Sequence, residues 1–170
     1  IDRAVLSPSG RWLAMRTSHL GDRLSLVVFD LRDWGKVKVA ARFADADIRG
    51  FEWVNDERLV FEIIDLKVGG GDQRYNPALF SVRHDGSELR QLIELRPEFF
   101  SDRSRVGRGP LSWNHRLLHV PGDGGDEVIV GRFQFNGAWE VTDVSPLRLN
   151  VVDGSTRNLA AGSPPGTMGW

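Results

Sequence analysis

Residues 51–65 read FEWVNDERLVFEIID: two aromatics around one acid, a polar turn, then a run of alternating β-formers. Residues 4–18, AVLSPSGRWLAMRTS, have the same rhythm. A single strand pair that recurs by accident and a repeated architecture would both produce this. The rest of the chain separates them. Short segments rich in Val, Leu, Ile or Phe follow one another from RWLAMRTS to RNLAA, most of them bounded by turn residues. No stretch holds a sustained helical period between capping signals; ELRQLIELRPEFF comes nearest, but it follows the turn HDGS and runs into a proline.

Laid out in order, the segments form three units of the same build. The first is AVLS, RWLAMRTS, LSLVVFDL and VKVAARF; the second IRGFEW, RLVFEII, ALFSVR and LRQLIEL; the third RLLHV, EVIVGRF, PLRLNVV and RNLAAG. GTMGW opens a fourth, with Trp170 echoing Trp53. The units span about 1–46, 47–96 and 97–162, with the next starting over 163–170. Lengths of roughly 45 to 70 residues suit four-stranded propeller blades with variable loops. A lone four-stranded sheet cannot bury both faces, and radial stacking solves this while leaving short, protected edges. A β-sandwich also makes many short strands. The same strand-turn-strand order returning three times favours an all-β partial β-propeller: three four-stranded antiparallel blades plus the start of a fourth. In that arrangement the first strand of each unit faces a channel, and the second and third carry the apolar contacts between blades.

Composition narrows the function. The 170 residues are 41% hydrophobic and 26% charged with a net charge of −1, an ordinary globular balance. Basic residues form no stripe, which argues against a nucleic-acid partner. There is no cysteine, so disulfides, thiol catalysis and cysteine-ligated zinc are excluded. No apolar run approaches a membrane span, and no targeting segment opens the chain, which starts as though already inside a folded unit. That start implies a fragment or a processed protein. Cytoplasm and periplasm both stay open as compartments.

SPSGRWLAM, FEWVNDERLVFEI, ALFSVRHDGSELRQL, LLHVPGDGGDEVIV and LNVVDGSTRNL, in that order, resemble the N-terminal β-propeller of prolyl-oligopeptidase-family serine peptidases, above all acylaminoacyl-peptidase and dipeptidyl-peptidase-like members. The first hairpin is shared with Tol-system propellers; the full order is more specific. The resemblance implies a bacterial hydrolase parent, with an α/β-hydrolase domain carrying the catalytic serine in a G-x-S-x-G elbow. This sequence has no G-x-S-x-G and no alternating strand-helix pattern to carry one. No catalytic residue is therefore assigned. The implied role is to gate and dock peptide substrate for a hydrolase domain absent from the chain, with association through open blade faces. A stand-alone Tol- or WD-repeat-type binding module is the alternative. A glycosidase-like propeller would need two carboxylates at a defined separation, which nothing in the sequence specifies.

Several local patterns invite a chemical reading. His84, Asp85 and Ser87 are triad residue types, but a triad converges from separate segments, whereas Asp-Gly between apolar runs is a hairpin signal. Asp153-Gly154-Ser155 reads the same way. Asp123, Asp126 and Glu127, and Asp45 and Asp47, lack calcium-loop spacing and read as solvated turns and strand starts. His115 and His119 lie on one side of a strand but about 13 Å apart, too far for one metal. KVGGGDQR, residues 67–74, has the glycines of a phosphate loop without its Gly-Lys-Ser/Thr ending or helix, and reads as a long hairpin loop. No metal or cofactor site is expected. The tryptophans are expected to be packing anchors. The segment RPEFFSDRSRVGRGP supplies the candidate substrate or interface residues: Arg96 beside Pro97, Phe99, Phe100, Arg103 and Arg105. Aromatic residues with arginine suit a docking interface.

Overall fold

The computed structural model describes residues 2–18, 23–67, 77–95, 109–159, 164 and 166–167. The described residues hold twelve strands and no helix. Each group of four consecutive strands pairs into its own antiparallel meander. The first sheet is β1 (Arg3–Leu6), β2 (Trp12–Thr17), β3 (Ser25–Asp30) and β4 (Asp33–Ala41). The second is β5 (Asp47–Trp53), β6 (Arg58–Ile64), β7 (Ala78–Arg83) and β8 (Arg90–Ile93). The third is β9 (His115–His119), β10 (Glu127–Phe135), β11 (Val141–Asn150) and β12 (Thr156–Asn158). This is the three-unit, blade-like arrangement read from the sequence.

Strand periodicity decides what stacks on what. Along β6, Leu59, Phe61 and Ile63 point to one face and join Ala14, Leu26, Val28 and Ala40 of the first sheet in a buried cluster. Val60 points the other way, with Leu79, Leu92 and Ile93, into a cluster with Val128, Val130 and Leu149 of the third sheet. The second sheet is thus buried on both faces, which is why RLVFEII is nearly continuous in apolar residues instead of alternating. The first and third sheets each contribute one face to these two clusters.

Polar contacts fix the registry of the stack. Trp53 Nε1–H donates to the Val5 carbonyl at 3.0 Å. Trp12 stacks on His84 with ring centroids 4.1 Å apart. The buried Ser81 hydroxyl donates to the Val151 carbonyl at 2.7 Å, tying the second sheet to the third. Gly86 turns at φ +87, and a Cβ there would lie 2.7 Å from the Val39 carbonyl of the adjoining sheet. Only glycine suits both the conformation and the approach.

Three sequence expectations need correction. Asp47 is buried, not solvated: its carboxylate accepts from the Leu24 N–H (2.9 Å), the Leu66 N–H (3.2 Å) and the Arg23 guanidinium (2.7 Å). Burial pushes this carboxyl up, but the three donors outweigh it and hold it below the ordinary range. His115 and His119 do not share a face, because the β9–β10 pairing skips Leu118; His115 is buried while His119 is exposed. The tryptophans are not uniformly packing anchors, since Trp34 is 66% and Trp139 70% exposed. On the third sheet, Ile129 and Phe133 of β10 and Pro146 of β11 face away from the cluster shared with the second sheet. Within 163–170, the described Thr167 accepts from the Val144 N–H of β11 at 2.9 Å.

Candidate functional site

The meander order puts β1, β5 and β9 on the same edge of their respective sheets. Where these edges meet, a cavity of about 160 Å³ is lined by Arg3, Gly50, Phe51, Glu52, Val60, Glu62 and Leu117, among others. Arg3 lies over the Phe51 ring, 5.2 Å from its centroid. Glu62 projects from β6 beside Gly50, its pairing partner on β5. Burial pushes the Glu62 carboxyl up; Arg49, at 3.7 Å, partly opposes this and Glu52 adds to it. Carboxylate and guanidinium groups therefore sit against Val60, Leu117 and Leu118 at the inner edge. Such a surface can hold the polar end of an extended ligand beside an apolar patch. It contains no nucleophile.

A larger groove, about 800 Å³, lies at the end of the stack where the tight β1–β2, β5–β6 and β9–β10 turns meet. Its charges are committed to one another. Asp56 accepts from the Ser9 N–H (2.9 Å) and hydroxyl (2.7 Å), which hold its carboxyl below the usual range. Asn55 donates to Asp126 at 2.9 Å, Arg83 to Glu57 at 2.5 Å, and the buried Arg58 pairs with Glu88. These contacts staple each turn to the next and account for the groove structurally.

The opposite end carries the long connections: β2 to β3, β6 to β7, and β8 to β9. The candidate residues Arg96, Phe99, Phe100, Arg103 and Arg105, with Pro97, belong to the last of these and lie outside the described residues, as do residues 68–76 of the glycine-rich loop. At the same end the structure brings together three rings that sequence reading missed. Trp113 stacks on Phe135 (5.7 Å), and Trp139 packs against both (6.0 and 6.2 Å). Trp139 holds φ +62, a left-handed conformation rare for a bulky residue. Asn136 sustains it by accepting from the Ala138 and Glu140 N–H groups. The NGAW sequence was a legible turn signal; the partnership with Trp113 was not, because it crosses strands.

The triad-like residues form turns. Ser87 gives its N–H and hydroxyl to Asp85, and the His84 ring is committed to Trp12. Ser155 gives its N–H to Asp153 in the same way. His115 donates Nδ1–H to the Ser112 carbonyl, and burial pushes its pKa down. Among the described residues no three His, Asp or Glu side chains gather as a metal site. No helix there is long and apolar enough to cross a membrane.

No family model matches this sequence, and no curated protein matches it significantly. Among solved structures, the chain is similar to a Mycobacterium tuberculosis puromycin-hydrolyzing peptidase: TM-score 0.45, 15% identity, over 92% of this chain and 28% of that one. The chain thus spans about a quarter of that structure's length. At that score the likeness assigns neither fold nor activity, and the functional reading rests on the residues themselves.

Proposed function

We propose that this chain is part of a β-propeller that accompanies an α/β-hydrolase serine peptidase domain and controls which peptides reach it. One observation carries the reading: three stacked meanders turn equivalent first strands toward a common inner edge, where a small cavity mixes charged and apolar side chains. In a closed ring of such meanders, first strands gathered at the centre would line a channel narrow enough to admit an extended peptide and reject a folded protein. The order of motifs that resembles the peptidase propellers supports the same reading.

The test is to read the coding sequence beyond residue 170. About 250 further residues alternating strand and helix, with a G-x-S-x-G, support the proposal. Further meanders closed by a stop codon would replace it with a stand-alone binding module. The purified 170-residue chain should leave acyl-peptide and aminoacyl substrates intact, and none of its serines should react with a fluorophosphonate faster than in the denatured chain.

A further inference from the structure

Two charged side chains at the inner edge lack partners for their hydrogen bonds. Glu62 is largely buried, yet no N–H or O–H of the described residues donates to it, and Arg49 stays 3.7 Å away. No partnerless side-chain oxygen among the described residues is sealed from solvent, so this carboxylate opens into the cavity it lines. Arg3 lines the same cavity and donates to no acceptor among the described residues; its contact is the Phe51 ring. Gly50, on the edge strand β5, leaves the space between them empty: a Cβ there would lie 3.9 Å from Glu62 Oε2 and 4.0 Å from Arg3 Nη1. The β5–β6 register shifts between Ile48 and Gly50, but Gly50 is not left-handed, so the bulge does not demand glycine. A glycine inside a strand also marks a place where another main chain approaches closely.

We propose that the gap between Arg3 and Glu62 is a subsite for one main-chain amide of an extended peptide, whose C=O accepts from Arg3 and whose N–H donates to Glu62. The charges around the gap select a neutral group. Arg3 and Arg49 are balanced by Glu52 and Glu62, so an ammonium or a carboxylate is drawn by two of them and opposed by the other two. A trans amide carries no charge and presents its acceptor and its donor on opposite sides, one for each unpartnered group. An extended segment has these groups free, whereas a helix bonds them internally. Val60, Leu117 and Leu118 form the apolar wall for the adjoining side chain. The grip is on the main chain, so it holds peptides of many sequences. The choice of a peptide rests on the access role proposed above; the unpartnered donor and acceptor do not.

The test is a titration of the 170-residue chain with acetyl-Ala-Leu-Ala N-methylamide, followed by the amide chemical shifts of Gly50 and Glu62. The same peptide with each amide replaced in turn by an ester lacks one N–H at a time. We expect saturable shifts at both residues, and one ester that binds about tenfold more weakly to the parent chain but no more weakly to Glu62→Leu. Arg3→Leu and Glu62→Leu should each weaken the peptide about tenfold. Gly50→Ala meets only ordinary contacts, so it should keep the strand signal in circular dichroism while its methyl group blocks the approach and weakens binding at least about tenfold. No saturable shift at Gly50 and Glu62, or esters that all bind as well as the amide, would overturn the subsite. So would tenfold tighter binding of the peptide with a free amino terminus, which would make Glu62 a cation site. A downstream reading frame without a hydrolase would remove the peptidase role and leave a positive binding result standing; absent binding would overturn the subsite even beside an encoded hydrolase.

Discussion

The first and second sheets have the same strand order, nearly the same row pattern, and different surroundings. Phe61 of the second sheet and Met15 of the first occupy matching places, on the second strand and in the same row. Phe61 is enclosed by Ala14, Val28 and Phe43, whereas Met15 is only half-buried. The same local sequence grammar is therefore worth different amounts of stability according to what stands beyond the face. Strand formation is a property of each meander; burial is a property of the stack.

Mutations should read that difference directly. Phe61→Ala empties a site between two sheets and should cost about 3–5 kcal/mol in urea unfolding, against less than about 1 kcal/mol for Met15→Ala. Equal losses would mean that the outward face of the first sheet is as well covered as the inner one. Gly86→Ala should cost about 2–4 kcal/mol, because a left-handed φ is joined by a clash with the Val39 carbonyl. Gly10→Ala has a similar φ of +72 but nothing within 4 Å, so only the conformational cost of about 1 kcal/mol applies. A thermal melt of the two variants sharpens the contrast between a turn that touches a neighbouring sheet and one that does not.

Two carboxylates of the second sheet should respond to pH with opposite signs. Asp47 is held below its unfolded value, so its contribution is present above the unfolded Asp range and is lost as pH falls through its folded value. Asp47→Asn should cost about 1–3 kcal/mol at neutral pH and remove that part of the acid sensitivity. Glu62 is raised, so the folded state holds its proton more tightly and loses stability as pH climbs from the unfolded toward the folded value. Glu62→Gln should flatten that loss and leave neutral-pH stability unchanged or slightly higher. Denaturant midpoints from pH 3 to 8 check both; slopes of the same sign would contradict the assigned surroundings. The smallest effect is expected for Met15→Lys, within about 0.5 kcal/mol, because the ammonium can reach water from a half-exposed site.

Strand number and order were legible in the sequence because turn chemistry and period-2 patterning are local signals. PSG, VNDE, HDGS and DGST each closed a hairpin where expected. Cross-sheet contacts were not legible. Asp47 looked like an exposed acid because the donors that bury it come from residues 23, 24 and 66. The Leu118 irregularity that separates His115 from His119 depends on a partner strand. The inner cavity joins Arg3, Glu62 and Leu117 from three different sheets, a juxtaposition that no window of sequence contains.

Residue-by-residue amide hydrogen exchange under native conditions tests the stacking most directly. The relevant amides are those of β2 and β3 and of β6 and β7, since all four are inner strands of four-stranded sheets and differ in what covers their faces. With both faces covered, Val60, Phe61, Leu79 and Val82 should exchange only through global unfolding, while Ala14, Met15, Val27 and Val28 should exchange through a smaller opening at least tenfold faster. Equal protection in the two sheets would show that the first sheet is covered on its outward side as well, and that the stack does not end where this account places it.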